Sequence, residues 1–262
     1  MIRSPLITIM TQAARKAARA LVRDFGEVEN LQVSLKGPAN FVSAADRRAE
    51  EILHAELAKA RPAFGFLMEE RGRVDGKDPT HVWIIDPLDG TTNFLHGIPL
   101  FAISIGLVRD GTPIAGLIFN PIADEMFVAE RGKGAFVNER RLRVSARREL
   151  ADTVICCGLP HRGRGDLDMF RNELALVQPR VAGLRRTGAA ALDMAWVAAG
   201  RFDGFWERGL SPWDLAAGLV IVREAGGFAT DIDGGDAILE KGSVVAGNEA
   251  IHGALLGLLS SR

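Results

Sequence analysis

Residues 82–108 constrain the fold more than any other segment, because they combine two apolar runs with two closely spaced acids. Residues 82–85 predict a buried strand, and residues 86–90, DPLDG, predict a tight turn at its end. A second apolar run begins at Phe101. Two carboxylates on one turn can share a space, where at about 4 Å they repel by roughly 4 kcal/mol at an effective dielectric of 20. A hard divalent cation bound through oxygen would offset that repulsion.

The residues after this turn bear on how it is interpreted. Asp and Gly are also the usual residues of a solvated surface turn, so Asp86 and Asp89 alone leave that alternative open. Thr91, Thr92 and Asn93 come next and would supply hydroxyl groups, backbone N–H groups and the start of a helix. Because the N-terminus of a helix binds phosphate well, the segment predicts metal-binding carboxylates beside a phosphate site.

Three motifs in fixed order give the chain a resemblance to a known family. Residues 86–94, DPLDGTTNF, resemble the signature of the inositol monophosphatase family, a branch of the metal-dependent, lithium-sensitive phosphatases. Residues 213–218, WDLAAG, resemble its second motif, which continues to EAGG at residues 224–227. The acidic pair at residues 69–70 lies upstream at the expected distance. Order and spacing are similar over residues 36–248.

The resemblance implies an α+β fold, a layered α/β/α/β/α sandwich of the sugar-phosphatase type with an antiparallel N-terminal sheet and a smaller mixed C-terminal sheet. The pattern agrees, since short turns join the strands of residues 101–138, while strands alternate with helices in the second half. The charged segment 140–149 is the predicted boundary. We expect an N-terminal lobe over residues 1–145 with most metal ligands, and a C-terminal lobe over residues 146–262 with Asp214 and the substrate contacts.

Residue spacing predicts further elements. Residues 6–25 form an amphipathic pattern that predicts a helix packed on a core, and a helix on a membrane surface shows the same pattern. Ser43 is a good N-cap for a second helix that ends near Ala60. Loops are expected at residues 36–40, 71–80 and 161–165. The second should be mobile. The third, rich in Gly and Arg, is expected to be solvated, with an anion or RNA contact as the alternative.

The resemblance implies a two-ion site with oxygen ligands and Mg²⁺ as the cofactor. Glu69, Asp86 and the Leu88 carbonyl would hold the first ion. Asp86, Asp89 and Asp214 would hold the second. Asp214 also has a structural alternative, because it lies at a predicted helix start where an acid is favoured in any case. The two roles are compatible, since a helix end can present a ligand.

The resemblance also assigns catalytic roles. Thr91, polarised by Asp46, would orient or deprotonate the attacking water, and Glu69 would contribute through its metal. Asp46 has a structural alternative as an acid in the first turn of a helix. The expected substrate-binding residues are Leu88, Asp89, Gly90, Thr91, Gly188, Ala189, Ala190, Glu207 and Asp214.

These substrate contacts fall into two sets. The backbone amides of residues 89–91 would bind the phosphate. Residues 188–190 and Glu207 would line the polyol site, although Glu207 could otherwise be a plain surface charge. A water near Asp214 would protonate the departing oxygen.

Composition excludes some function classes. The net charge of -1 argues against a dedicated nucleic-acid binder. The sequence has no run of 18 or more apolar residues, so no membrane span is predicted. Basic residues follow the short apolar part of residues 1–22, the wrong order for a secretion signal, so we expect a cytoplasmic protein. Cys156 and Cys157 are adjacent, which favours free thiols in a reducing compartment. The five histidines are scattered, so a zinc site is not expected.

These observations and the resemblance lead to one functional hypothesis with two alternatives. The chain should hydrolyse myo-inositol monophosphate to inositol and phosphate with Mg²⁺, as a homodimer. A phosphatase of the same fold could act on another small ester, such as histidinol phosphate, fructose bisphosphate or an adenosine bisphosphate. A phosphatase-like protein could instead act through RNA or a transcription complex.

Overall fold

A computed structural model describes residues 4–27, 33–35, 41–160 and 165–260. The loop expected at residues 36–40 lies outside the described residues, and so does most of the Gly/Arg loop, residues 161–164. The predictions made for these two loops therefore stay predictions.

The described residues form helices and strands in a mixed order, as the α+β prediction requires. The helices are α1 (Pro5–Phe25), α2 (Ala44–Ala60), α3 (Thr91–Leu95), α4 (Leu167–Val177), α5 (Ala190–Ala198), α6 (Pro212–Glu224), α7 (Ile238–Lys241) and α8 (Glu249–Leu259). The strands are β1 (Val33–Leu35), β2 (Phe41–Ser43), β3 (Phe64–Met68), β4 (Gly72–Val74), β5 (Asp78–Asp89), β6 (Ala102–Arg109), β7 (Thr112–Asn120), β8 (Glu125–Glu130), β9 (Ala135–Val137), β10 (Arg140–Arg141), β11 (Val154–Cys157), β12 (Gly183–Arg185), β13 (Gly204–Arg208), β14 (Phe228–Thr230) and β15 (Ser243–Gly247).

Helix α1 is amphipathic and packs on the core. The Ser4 hydroxyl caps it by accepting from the N–H of Ile7 at 3.1 Å, and Pro5 occupies the first turn, where its missing N–H costs nothing. Its apolar residues join a cluster with α2 and the large sheet. The prediction of a core-packed helix is confirmed. Among the described residues, no helix is both long and apolar enough to cross a membrane.

The large sheet has the strand order β10-β9-β8-β7-β6-β5-β3-β4. Neighbouring strands are antiparallel except β3 and β5, which are parallel. The loop predicted over residues 71–80 is wrong for much of its length, because β4 pairs back on β3 and β5 already begins at Asp78. Gly72, with a φ of 76°, makes the tight reversal after the acidic pair of residues 69–70.

The predicted tight turn of residues 86–90 is also corrected. Strand β5 continues to Asp89, and Asp86 pairs with Ser104 while Asp89 pairs with Ala102, so the register shifts between the two aspartates. Such a bulge re-aims side chains without ending the strand, and it tolerates Pro87 because the ladder hydrogen bond is already lost there. The chain leaves the strand only at Gly90, with a φ of 92°.

The smaller sheet has the order β12-β11-β13-β15-β14. Strand β11 is parallel to β12 and β13, whereas β15 is antiparallel to β13 and β14, which confirms a mixed sheet. Helices α1 and α2 cover the outer face of the large sheet, α5 and α6 lie between the sheets, and α4 and α8 cover the far face of the small sheet. The predicted α/β/α/β/α sandwich is confirmed.

Helix α6 lies unusually close to the large sheet. A Cβ at Gly116 would lie 2.4 Å from the carbonyl oxygen of Ala217, and one at Gly106 would lie 2.7 Å from the Cβ of Ala216. These two glycines therefore leave room for the helix backbone. The Ser104 hydroxyl donates to the carbonyl oxygen of Trp213 at 3.1 Å, which ties the first turn of α6 to β6.

The predicted lobe boundary falls between the two sheets, because the large sheet ends at Arg141 and the small sheet begins at Val154. The main core cluster nevertheless contains residues from both sides, including Ile118 and Phe127 of the large sheet together with α5 and α6. The two predicted lobes thus share apolar packing, and their division stays a prediction.

Candidate active site

Acidic residues from four elements meet at one end of the large sheet. These acids form two groups, and within each group the potential ligand oxygens all lie within 4.8 Å of one another. The sheet-edge group is Asp46, Glu69 and Glu70. The buried trio is Asp86, Asp89 and Asp214. All five metal ligands that were predicted, including Leu88 between the two aspartates of β5, therefore lie in one region of the molecule.

The buried trio carries a strong electrostatic perturbation. Asp86, Asp89 and Asp214 are 2%, 8% and 9% exposed. Burial, and then the charges of Glu69, Asp89 and Asp214, raise the pKa of Asp86 well above its usual value. Burial, and then Asp214, raise the pKa of Asp89 in the same way. Water cannot solvate these carboxylates, so their charged forms require a counter-charge.

The donor set fits a hard metal ion. Buried carboxylates at this spacing are the oxygen ligands that Mg²⁺ and similar cations take in proteins. Backbone N–H groups orient two of them: Leu88 donates to Asp86 Oδ1 at 2.9 Å, and Ala191 donates to Asp89 Oδ2 at 2.8 Å. The described acidic groups could therefore hold a metal ion.

Asp214 belongs both to the cap of α6 and to the buried trio, so its position is compatible with both roles that the sequence allowed. The Ser211 N–H donates to Asp214 Oδ2 at 2.7 Å, so the carboxylate belongs to the cap of α6. The same carboxylate lies with Asp86 and Asp89 in the buried trio. The helix start therefore presents this acid to the site.

Thr91 lies where Asp46 can reach it. Its Oγ1 is 3.3 Å from Asp46 Oδ2 and 3.0 Å from the carbonyl oxygen of Leu88. The contact between Asp46 and Thr91 that the resemblance implies is present. A hydroxyl has one proton, so Thr91 donates to one of these acceptors at a time and keeps lone pairs for another partner.

The segment of residues 188–190 lies against the loop after β5. A Cβ at Gly90 would lie 3.2 Å from the Cβ of Ala189. Asn93 joins the two segments, because its Nδ2 donates to the carbonyl oxygens of Leu100 at 2.7 Å and Thr187 at 2.8 Å. The sequence analysis gave Asn93 no such role, although it belongs to the same motif.

Glu207 is half-buried in β13 rather than a plain surface charge. It is among the groups that raise the pKa of Asp89, so its charge lies within electrostatic range of the buried trio. Burial raises the pKa of Cys157 to about 12, and the charge of Glu207 is the next largest cause of that shift. Both cysteines are buried free thiols, as expected.

Comparison with known proteins decides the family. Residues 2–262 match the profile of the inositol monophosphatase family. The chain belongs to the inositol monophosphatase family. It is 65% identical to the inositol-1-monophosphatase of Mesorhizobium japonicum over 98% of this chain and 96% of that protein. The predicted family is confirmed, and with it the predicted enzyme class, the phosphoric monoester hydrolases.

Two further relatives in the family carry other names. The crystal structure of the extragenic suppressor protein suhB from Bartonella henselae superimposes with a TM-score of 0.96 and 58% identity, over 98% of this chain and 99% of that chain. A protein of Pseudomonas aeruginosa named Nus factor SuhB is 43% identical over 96% of this chain and 94% of its own length. The inositol monophosphatase fold is thus shared by proteins named for different roles.

The sequence analysis missed two buried acids that lie beside the site. Glu50 Oε2 accepts from the N–H of Glu70 at 2.7 Å, and burial raises the pKa of Glu50. Its spacing of four residues from Asp46 puts both acids on one face of α2, which was an available signal. Asp193 accepts from the Thr187 hydroxyl at 2.5 Å, and burial raises its pKa to about 7.

Proposed function

We propose that the chain hydrolyses the phosphate ester of inositol monophosphate with the help of Mg²⁺. The observation that carries the proposal is the buried trio, whose carboxylates come from both halves of the chain and lie beside Thr91 and Asp46. Buried carboxylates that lie this close repel one another, and a bound cation is the usual way in which proteins offset that repulsion. The 65% identity to an inositol-1-monophosphatase supports the substrate.

The proposal assigns the ligands as the resemblance implied. Glu69, Asp86 and the Leu88 carbonyl would hold one ion. Asp86, Asp89 and Asp214 would hold the other. Mg²⁺ bound there would neutralise phosphate charge and lower the pKa of water.

The chain's own groups position the reactants. The Thr91 hydroxyl donates a hydrogen bond to Asp46 and keeps its proton. Its oxygen can then accept a hydrogen bond from the attacking water and direct that water at phosphorus. The backbone N–H groups of residues 89–91 bind the phosphate oxygens. Gly90 adopts a left-handed conformation, with a φ of 92°, which turns the chain so that these N–H groups can converge on one anion.

Substrate choice falls to the far side of the cleft. Residues 188–190 offer small side chains and so leave room for a ring. Glu207 accepts hydrogen bonds from ring hydroxyls, which are worth about 1.5–3 kcal/mol to a charged acceptor. A polyol phosphate would use both features, whereas a simple aryl phosphate would use neither.

A panel of phosphate esters tests this function. We expect inositol 1-phosphate to have the highest kcat/KM among inositol 1-phosphate, histidinol phosphate, fructose 1,6-bisphosphate and adenosine 3′,5′-bisphosphate. Glu207→Gln should lower kcat/KM for inositol 1-phosphate by roughly one to two powers of ten, and much less for p-nitrophenyl phosphate, which lacks ring hydroxyls. Equal losses on both substrates would count against the polyol contact, and a better ester in the panel would replace the substrate.

A second candidate function is a role in a transcription complex without catalysis. The similarity to a protein named Nus factor SuhB supports it. The test uses Asp89→Asn, which removes a charge from the buried trio, in cells that lack the chain. Restored growth by this inactive variant would favour the binding role, whereas restoration only by the wild type would favour catalysis.

Three remaining expectations belong to the same proposal. The protein acts in the cytoplasm, as the sequence analysis predicts. It forms a homodimer and is inhibited by Li⁺, as the resemblance implies. Analytical ultracentrifugation of the full chain tests the dimer directly, because a sedimentation equilibrium at the monomer mass would exclude it.

A further inference from the structure

The neighbour of Glu207 in the small sheet decides where its carboxylate can lie. Glu207 and Phe205 share one face of β13, because side chains alternate along a strand. Phe205 belongs to the core between the two sheets, whereas Trp206 belongs to the cluster on the far side. Glu207 therefore points toward the sheet interface and the cleft.

Gly158 lies directly beside Glu207 on that face. Strand β11 runs parallel to β13 with Cys157 opposite Trp206, and the Gly158 N–H donates to the carbonyl oxygen of Trp206 at 3.2 Å. A Cβ at Gly158 would lie 1.8 Å from Cδ and 2.0 Å from Oε1 of Glu207. The carboxylate thus occupies the space that any other residue at position 158 would fill.

The requirement at position 158 is for space and not for backbone conformation. Gly158 is not among the glycines with a left-handed φ, in contrast to Gly188 with a φ of 89°. Alanine can adopt the backbone conformation at position 158, and the three nearest atoms that its Cβ would meet all belong to Glu207.

Strand β13 cannot easily move away to relieve that overlap. Buried Glu173 of α4 accepts from Trp206 Nε1 at 3.1 Å and from Arg208 Nε at 2.6 Å. These two residues flank Glu207 in the strand and fix its far face. Strand β15 pairs along its other edge. A methyl group at position 158 must therefore displace the Glu207 side chain.

We propose that Gly158 is a positioning residue that sets the location of the Glu207 carboxylate and thereby the preference for a polyol phosphate. The role in specificity rests on the proposed function, whereas the contact itself does not. Gly158→Ala should act through Glu207 and only through it.

A stability cycle tests the contact without any substrate. We compare Gly158→Ala, Glu207→Ala and the double variant by thermal unfolding of the full chain. Gly253→Ala is the control for an added methyl group without overlap, because its Cβ would meet nothing within 4 Å. Since Gly253 lies in α8, where alanine favours the helix, its Tm should stay the same or rise. Gly158→Ala should lower the Tm by about 5 °C, the effect of a modest overpacking. In the Glu207→Ala background the same substitution should cost almost nothing, since the clashing side chain is gone.

A kinetic cycle tests the role in specificity. Gly158→Ala should lower kcat/KM for inositol 1-phosphate about tenfold, the size expected for one weakened hydrogen bond to a charged acceptor, mainly through KM. Turnover of p-nitrophenyl phosphate should fall much less. The double variant should be no worse than Glu207→Ala alone on inositol 1-phosphate.

The outcomes separate this inference from the proposed function. Equal losses of Tm from Gly158→Ala in both backgrounds would show a contact other than Glu207 and overturn the inference. A Tm cycle as expected with equal kinetic losses on both esters would overturn the specificity role. If the wild type hydrolyses no polyol phosphate, the proposed function fails, and with it the specificity role, while the Tm cycle still decides whether Gly158 positions Glu207.

Discussion

The two acidic groups of the site differ in how the chain builds them. The sheet-edge group of Asp46, Glu69 and Glu70 comes from α2 and the end of β3, which are neighbours in the sequence and in space. The buried trio unites β5 with the start of α6, so it exists only when the second half of the chain has packed on the large sheet. The first group therefore depends on local structure, and the second depends on the packing of both halves of the chain.

The two groups also differ in their electrostatics. Burial raises the pKa values of Asp86 and Asp89, whereas Glu69 and Glu70 are only half-buried. A cation should therefore stabilise the trio more strongly than the sheet-edge group, because charges far from water interact more strongly. The following predictions test that difference, beginning with the largest expected effect.

Asp89→Asn should abolish Mg²⁺-dependent turnover. Asparagine is close in shape and can still accept from the Ala191 N–H, so the fold should remain. The change removes one charge from a hard-cation site. Phosphate release measured over a range of Mg²⁺ concentrations provides the check, and near-normal rates at saturating Mg²⁺ would rule out the ligand assignment.

Li⁺ should inhibit the wild-type enzyme strongly and uncompetitively. The resemblance implies that Li⁺ enters the second metal position, at the buried trio, after chemistry and holds the product. An ion that binds a state formed only during turnover lowers kcat and KM together. Initial rates at several substrate and Li⁺ concentrations distinguish this from competitive inhibition, which would contradict the prediction.

Glu50→Ala should weaken the first ion's site, because Glu50 supports the segment that carries Glu69. Glu50 accepts a hydrogen bond from the N–H of Glu70. Loss of a hydrogen bond that orients a metal-binding segment typically reduces metal affinity 10–100-fold. We expect the Mg²⁺ concentration for half-maximal rate to rise about tenfold while inhibition by Li⁺ stays unchanged. Glu50→Gln, which keeps an acceptor, is the matched control and should lose less. An altered response to Li⁺ would show that the two groups are not independent.

The smallest effect should be in stability. Asp89 has a raised pKa in the folded state, so between about pH 4 and that pKa the folded protein binds more protons than the unfolded chain. Stability of the metal-free protein is therefore lost as pH rises.

Asp89→Asn removes this penalty, so in EDTA its Tm should exceed that of the wild type by about 5 °C at pH 8 and by less at pH 5. Titrating groups that do not interact with Asp89, such as His54 and His252, cancel in the difference between the two proteins, whereas Asp86 shares in the relief of repulsion. Saturating Mg²⁺ should reverse the order, since it stabilises the wild type by binding the folded state. A Tm difference independent of pH would contradict the assigned repulsion.

Much of the fold could be predicted from sequence because its signals are periodic. The helix α1 and the strands around residues 82–108 carry clear apolar patterns, and they formed as expected. The bulge between Asp86 and Asp89 was missed because proline, aspartate and glycine favour a turn, and only pairing with β6 keeps this segment in the sheet. Strand β4 was missed because it is short and polar, so its pairing with β3 defines it.

The candidate site was predictable only as far as its motifs reach. DPLDG and WDLAAG marked Asp86, Asp89 and Asp214, which the structure brings together. Glu50 and Asp193 lie outside these motifs. The spacing of Glu50 from Asp46 places both acids on one face of α2, but it does not tell a buried acid from an exposed one, and Asp193 has no such signal. Tertiary packing decides their burial, as it decides the space at Gly158.

The close seat of α6 on the large sheet has a consequence for sequence variation. Gly106 and Gly116 touch no substrate group, yet any side chain there would lift the helix whose first turn carries Asp214. A change of about 1 Å in such a ligand is enough to impair a metal site. In a mutational scan scored by activity, these two glycines should therefore tolerate as little replacement as the acids themselves. Their distance from the substrate alone would not predict that sensitivity.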